Sequence, residues 1–553
     1  MKLWRHYVVV ILFLLGCTGV AARVVFLNVT DREFLQEQGN ARAVRQEVLP
    51  AYRGVIYDRH GEALAVSTPV AAIWTDPSFV QLSAEAVQQV AEVLDRDPEA
   101  LAAQLAASAG REFLYLARRV PWDVAERIRA LGLDGVYIRR EYRRYYPAGE
   151  MAAHVVGMTN IDDLGLEGIE LSYDEHLRGR PGRKTVLKNR RGETIEDLAF
   201  DEAPRYGEDI TLSLDLRLQF VAYRELKAAV AGNHARSGSL VMLDARTGEV
   251  LALANEPSYN PNDPEALASG RRDAMRNRAV TDTYEPGSTI KPFTVLAALG
   301  TGRWQPDSVI DTAPGFFSVR TKMIQDPSNL GAITLTQALQ KSSQVGIAKV
   351  ALDLPPEAVF DVIGRAGISE FIGTGLPGET AGRVSNQGLG NPIVQATMAY
   401  GYGLAVSPLQ LAQGYLTLAR GGERMPVSIL HQDRVTREGR QVFDAQRVRT
   451  VVEMMETVTS DAGTAPRARV PGFRVAGKTG TSRKVGPQGY DDERHVALFA
   501  GMAPATDPRF VMVVVINEPR GKANGGGAVA APVFGQVAAR ALRLLGVEPE
   551  VSI

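Results

Sequence analysis

Residues 285–293 read Glu285-Pro286-Gly287-Ser288-Thr289-Ile290-Lys291-Pro292-Phe293. Pro-Gly marks a turn, and the apolar residues beyond it mark a helix. Ser288 sits at the turn and Lys291 follows three positions on, so both fall on one helix face. A serine hydroxyl becomes a useful nucleophile when a base takes its proton. An amine kept neutral by burial can be that base. The helix N-terminus adds backbone N–H groups aimed at developing negative charge. Pro292 lacks the N–H that would close a helical bond back to Ser288, which predicts a loose first turn within a longer helical stretch. Taken alone, this spacing is also that of an ordinary helix start.

The wider composition narrows the choice. At 553 residues the chain is too long for one ordinary domain. Hydrophobic residues make up 45% and charged residues 23%, as in a globular protein. Lys plus Arg total 62 against 63 Asp plus Glu, a balance that argues against a nucleic-acid partner. The single cysteine, Cys17, excludes an intrachain disulfide. The seven histidines are scattered without the spacing of a metal site, so neither a metal nor another cofactor is expected.

Lys2, Arg5 and His6 precede an apolar run from Tyr7 to Ala22, which Val24 to Leu27 extend beyond Arg23. The length suits a bilayer core, and the basic residues favour a cytoplasmic N-terminus with the remainder outside. A cleaved signal peptide is the rival reading, and Leu14-Leu15-Gly16-Cys17 also has the look of a lipoprotein processing site.

From Asn28 to Arg205 the pattern is irregular. Arg42 to Val48 reads as extended. Asp58 to Gly61 reads as a turn between apolar strands, and Val80 to Ala107 as two short helices. Gly165 to Tyr173 opens another helix. The many charges here read as salt bridges rather than catalytic groups. Near Glu208 the pattern changes. Leu218, Val221, Ala222, Leu226 and Ala229 recur at helical spacing, and Ser237 to Asn255 reads as a β-hairpin. Phe473 to Gly477, Val496 to Gly501 and Phe510 to Val515 read as strands, with a last amphipathic helix from about Pro532 to Leu545. Strands at both ends and helices between imply one sheet built from distant parts of the chain.

Two further stretches join the first. Leu339-Gln340-Lys341-Ser342-Ser343-Gln344-Val345-Gly346 lies in an apolar helical setting, and Gly477-Lys478-Thr479-Gly480-Thr481-Ser482 directly follows an expected strand. A lysine and hydroxyls at a strand edge can clamp a carboxylate. Gly480 lets the backbone approach a ligand closely, and an exposed strand can pair with an extended peptide. Ser288-x-x-Lys291, Ser342-x-Gln344 and Lys478-Thr479-Gly480, in this order, resemble the S-x-x-K, S-x-N and K-T-G set of penicillin-binding proteins and serine β-lactamases. Arg276 to Asp282, Gly401 to Ala412, Gly525 to Phe534, Arg53 to Gly61 and Gly165 to Tyr173 extend the likeness over nearly the whole chain. It is similar to the class B penicillin-binding proteins, and most to the division-specific FtsI type.

That resemblance implies an α+β architecture. A transpeptidase domain at 206–548, with a central antiparallel sheet and helices on its faces, follows an elongated pedestal (dimerisation-type) domain at 28–205 and a cytoplasmic tip and transmembrane anchor at 1–27. It implies an inner-membrane, single-pass protein with a periplasmic catalytic domain. It also implies a septal peptidoglycan D,D-transpeptidase: Ser288 the nucleophile, Lys291 the base, Ser342 a proton relay, the N–H groups of Ser288 and Thr481 an oxyanion hole. Lys478, Thr479 and Thr481 would hold the terminal carboxylate of the stem peptide, and Gln344 and Gly480 would line its site. β-Lactams would acylate Ser288. The implied partners are stem peptides, β-lactams, an FtsW-type glycosyltransferase and other division proteins.

One position departs from the pattern: Gln344 stands where the family has Asn, one methylene longer with the same amide chemistry. A D,D-carboxypeptidase or β-lactamase is the rival enzyme, although no Glu-x-x-Leu-Asn stretch supplies a deacylating water. A catalytically impaired division scaffold or a β-lactam sensor is the non-enzymatic rival, favoured by Gln344.

Overall fold

The structure is a computed structural model that describes residues 3–29, 44–78, 81–188, 194–263, 272–432, 438–486, 489–521 and 523–550. Lys2, Arg42 and Val80, each at the end of a stretch read above, lie outside the described residues. Helix α1 (Trp4–Val29) is predominantly apolar, with Arg5, His6 and Arg23 its basic residues, and its most hydrophobic window has a mean hydropathy of 2.4. At 26 residues it rises roughly 39 Å, enough to cross a hydrocarbon core.

The chain forms two compact units. One comprises residues 1–54, 67–143 and 178–208; the other comprises 55–66, 144–177 and 209–553. Thus two early stretches of the chain pack with the larger unit. In the smaller unit, strands Val44–Leu49, Gly182–Lys188 and Thr194–Glu202 form an antiparallel sheet with the second in the middle. A separate small core joins Ile73, Leu114 and Leu116 to Val87, Val90, Leu101 and Ile128 from helices Ala84–Val93, Pro98–Ala106 and Trp122–Ala130.

The larger unit is built on a five-stranded antiparallel sheet. Its strands are β1 (Ser237–Asp244), β2 (Val250–Glu256), β3 (Ala476–Gly486), β4 (Gly489–Ala503) and β5 (Phe510–Asn517), in the order β2-β1-β5-β4-β3. Every residue of β1 and β5 is buried, which explains why residues 240–243 and 510–516 read as unbroken apolar runs instead of alternating ones. Helices α2 (Leu216–Gly232) and α7 (Gly526–Leu544) cover one face, and α6 (Pro408–Ala419) lies against the other. Phe499 of β4 meets Phe534 of α7 edge to face at 4.8 Å. Both are fully buried, each burial contributing on the order of 2–3 kcal/mol.

Three boundaries differ from the sequence reading. The helix expected from Pro532 starts six residues earlier, at Gly526. A Cβ on Gly526 would stand 2.2 Å from the Leu498 carbonyl oxygen and 2.4 Å from that of Gly480, so glycine here seats a helix on β3 and β4 instead of marking a loop. The strand expected to end at Gly477 begins at Ala476 and runs to Gly486, placing Lys478 to Ser482 inside it. The long helix expected around Ser288 is a four-residue 3₁₀ turn, Gly287–Ile290, followed by α3 (Lys291–Gly300). Pro292 in the first turn of α3 is the physical reason for that tight turn.

The charged residues of the N-terminal half that pack with the larger unit serve structure. Arg144 and Glu170 form a buried pair at 2.6 Å, and Arg59 pairs with Glu249 at 3.1 Å. Asp58 accepts the N–H groups of His60, Glu62 and Leu216, fixing the expected turn.

Candidate active site

The turn carrying Ser288 is pinned from several sides. Gly287 has φ +53° and donates its N–H to the Gly401 carbonyl at 3.1 Å. A Cβ on Gly401, itself at φ +88°, would lie 2.0 Å from the Gly287 oxygen, so only glycine allows this approach. Thr289 Oγ1 donates to Pro286 O at 2.7 Å, and the fully buried Tyr415 hydroxyl donates to Thr289 O at 2.8 Å. The N–H of Lys291 closes the turn on the Ser288 carbonyl. Ser288 itself is half-buried.

The turn lies against β3. A Cβ on Gly480 would meet Pro286 O at 2.8 Å and Thr289 Cγ2 at 3.0 Å. The close approach that Gly480 permits is therefore to the chain's own nucleophile turn, where the sequence reading expected a ligand. Glycine here lets the turn settle on the strand.

Two amines converge on one hydroxyl. Lys291 and Lys478 are both fully buried. Lys291 Nζ donates to the Ser342 carbonyl at 2.5 Å and lies 3.2 Å from Ser342 Oγ. Lys478 Nζ lies 3.0 Å from the same Oγ. Burial pulls the Lys291 amine down to about 7, partly opposed by the Asp326 carboxylate. Burial also holds Lys478 well below the usual ammonium range, and the Lys291 charge adds to that effect. Two ammonium groups sharing one buried hydroxyl repel each other, so neutral amine is favoured in this pair.

Ser342 lies in a break between α4 (Leu335–Gln340) and α5 (Gln344–Leu352), where the sequence suggested continuous helix. Its φ of +60° is left-handed, an unusual conformation for a residue other than glycine. Gln344 is the first residue of α5. Its side chain is half-buried and makes no hydrogen bond among the described residues.

Strand alternation separates the clamp residues. Lys478 and Gly480 face the nucleophile turn, while Thr479 and Thr481 face the start of α7. Thr479 Oγ1 lies 2.8 Å from Thr464 Oγ1, and Thr481 Oγ1 accepts the Gly526 N–H at 3.1 Å. The Lys478 amine curls back to within 3.2 Å of Thr479 Oγ1, so amine and hydroxyl meet along the edge strand β3. Backbone and side-chain donors on that edge can bind a carboxylate or an extended peptide.

Sequence reasoning gave no individual role to several residues that shape this region. Tyr415 and Gly401 fix the turn, Thr464 orients Thr479, and Asp326 holds the break at Ser342. Glu285 accepts the N–H of Gly403 at 2.8 Å and the Tyr490 hydroxyl at 3.0 Å at the start of the same turn. The contacts of Tyr415, Gly401 and Glu285 join positions more than a hundred residues apart, those of Thr464 and Asp326 positions 15 to 19 apart, and no local pattern announces either kind.

A serine on a pinned turn, a buried amine poised near neutrality and a hydroxyl bridging to a second amine make a site fitted to serine acyl transfer. Comparison with known proteins carries this further. Residues 238–539 match the Penicillin binding protein transpeptidase domain, and residues 48–212 match the Penicillin-binding Protein dimerisation domain. The Escherichia coli peptidoglycan D,D-transpeptidase FtsI is 43% identical over 99% of this chain and 93% of its own. A probable peptidoglycan D,D-transpeptidase of Pseudomonas aeruginosa, PbpC, is 41% identical over 99% and 96%. The structure of penicillin-binding protein 3 from Mycobacterium tuberculosis complexed with aztreonam is 27% identical, with a TM-score of 0.70 over 91% of this chain and 98% of that one. The chain belongs to the class B penicillin-binding proteins of the FtsI type. Membership of this family and the apolar α1 point together to a membrane-anchored protein.

Proposed function

We propose that this protein is a peptidoglycan D,D-transpeptidase that cross-links stem peptides during septal wall synthesis. The observation that carries the proposal is the convergence of the buried Lys291 and Lys478 amines on Ser342 Oγ beside the Ser288 turn. Ser288 Oγ attacks the carbonyl of the penultimate D-Ala, and neutral Lys291 takes the hydroxyl proton. The N–H groups of Ser288 and Thr481 receive the oxyanion, where preorganised donors typically contribute about 3 kcal/mol. As the intermediate collapses, the peptide C–N bond breaks. The leaving D-Ala amine takes a proton through Ser342, which lies between the two lysines. Lys478, Thr479 and Thr481 hold the terminal carboxylate along the β3 edge. A neighbouring stem-peptide amine then attacks the Ser288 ester, forming the cross-link and freeing the hydroxyl.

A β-lactam mimics the donor and leaves a lasting Ser288 adduct. The reading places α1 in the inner membrane with its N-terminus cytoplasmic and the catalytic unit periplasmic. It also assigns a glycosyltransferase of the FtsW type and other division proteins as partners. The test is labelling of the full-length chain with fluorescent penicillin. Wild type is expected to carry one stable adduct, and Ser288→Ala none. Labelling that persists in Ser288→Ala would sink the proposal, as would rapid turnover of the penicillin. Depletion of the protein in its host, followed by microscopy, is expected to give filaments; round cells would instead assign it to elongation.

A further inference from the structure

We infer that Asp326 is a positioning residue, which holds the break between α4 and α5 so that Ser342 faces both lysines and which supplies the carboxylate that balances the Lys291 charge. The inference rests on the proposed role of Lys291 as base.

Asp326 follows the hairpin of Phe316–Val319 and Lys322–Gln325, and it is 3% exposed. Its own N–H is anchored on Gly315 O at 2.9 Å. The carboxylate reaches across to the break from outside both helices. Oδ2 accepts the Ser343 hydroxyl at 2.5 Å, and Oδ1 accepts the N–H groups of Gln344 at 2.5 Å and Val345 at 3.2 Å. With its proton committed to Asp326, the Ser343 hydroxyl turns a lone pair to the Gly346 N–H at 2.8 Å. These four bonds fix residues 343–346 and leave Ser342 little freedom. A serine in the left-handed region is disfavoured by about 1–2 kcal/mol, and it persists only where its surroundings over-determine it. The same backbone conformation points the Ser342 carbonyl at Lys291 Nζ.

A helix cap would explain the hydrogen bonds alone. The charge explains more. The charged group acting on Lys291 is Asp326 from this loop, while Lys291 in turn acts on Lys478 from β3. Lys341, in the same break, is exposed and donates instead to Ala462 O. The Asp326 carboxylate therefore works against burial, and it keeps the base from falling too low to hold a proton.

The experiment measures the penicillin acylation rate of the full-length protein against pH. In wild type the rate is expected to fall on the acid side with a midpoint near the Lys291 value of about 7. Asp326→Asn keeps the shape and removes the charge, and its midpoint is expected about one pH unit lower. Ser343→Ala removes the capping hydroxyl and keeps the charge, so its midpoint should stay with wild type. Should Asp326→Asn fail to fold, Asp326→Glu keeps the charge and displaces it by a methylene. Its plateau rate is expected to fall about tenfold or more with an unmoved midpoint. An unmoved midpoint in folded Asp326→Asn overturns the inference. So does an equal shift in Ser343→Ala, or a wild-type rate in Asp326→Glu. If wild type forms no adduct at any pH, the underlying role of Lys291 fails instead, and the two failures are told apart.

Discussion

At the scale of single residues, the decisive quantity is where the Lys291 proton resides. An amine with an ordinary pKa is almost fully protonated at neutral pH and cannot accept the Ser288 proton. Complete burial brings Lys291 down to about 7, so much of it is neutral where the enzyme works. The rate of Ser288 acylation should therefore rise as pH increases through 7 and level off above it. A rate independent of pH between 5 and 9 would refute a titrating base. Stability follows the same sign. The native state resists the Lys291 proton more than the unfolded chain does, so the penalty is full below about pH 7 and is relieved as pH rises toward the usual ammonium value. Gln344 offers a second check. Its amide makes no hydrogen bond among the described residues, so Gln344→Ala should leave Tm within about 2 °C of wild type. Penicillin acylation should still slow by about tenfold, the usual effect of losing one polar contact to a substrate. Ser288, Lys291, Ser342 and Lys478 could be singled out as candidates because each sits in a short motif of fixed spacing. Asp326 was not readable: a lone aspartate after a hairpin carries no local signal, and its meaning comes only from the loop that folds over it.

At the scale of elements, close backbone contact governs how the pieces fit around the site. The first turn of α7 rests on β3 and β4 through Gly526. Gly526→Ala would thrust a methyl group to 2.2 Å from the Leu498 carbonyl, a backbone atom that no rotamer change can move. Such overpacking typically costs 1–3 kcal/mol. Thermal unfolding of Gly526→Ala should shift down by several degrees, and its acylation rate should fall as well, because the displaced helix carries the N–H that meets Thr481. A neutral outcome in both measurements would mean that this helix start is mobile enough to yield. The misread helix boundary has the same origin. Gly525-Gly526-Gly527 looks like a loop when glycine is weighed by helix propensity. Here the missing Cβ is what the packing requires, and tertiary contact outweighs propensity. The left-handed break at Ser342 escaped for a related reason, since its two flanking helices share one apolar pattern.

At the scale of the whole molecule, the chain is not partitioned in sequence order. The fold class was legible because apolar strands at both ends of residues 237–517 need one another to be buried. That residues 55–66 and 144–177 pack with the larger unit was not legible, since no composition change marks them. The second of these stretches contains a buried charge pair. The Arg144 guanidinium and the Glu170 carboxylate meet at 2.6 Å with side-chain exposures of 1% and 0%. Two charges so deeply buried are tolerable only together, because desolvation of either one alone is expensive. Glu170→Gln removes one partner of this buried pair and should destabilise the protein by about 3–5 kcal/mol, seen as a large drop in the denaturant midpoint. Replacing both partners by apolar residues of similar size, Arg144→Met with Glu170→Leu, should recover most of that loss. The pair does not touch the site. Protein that remains folded in either variant should therefore acylate at the wild-type rate, with only the folded fraction changing. If the double variant were as unstable as the single one, the pair would owe its place to hydrogen-bonding geometry rather than to mutual compensation of charge.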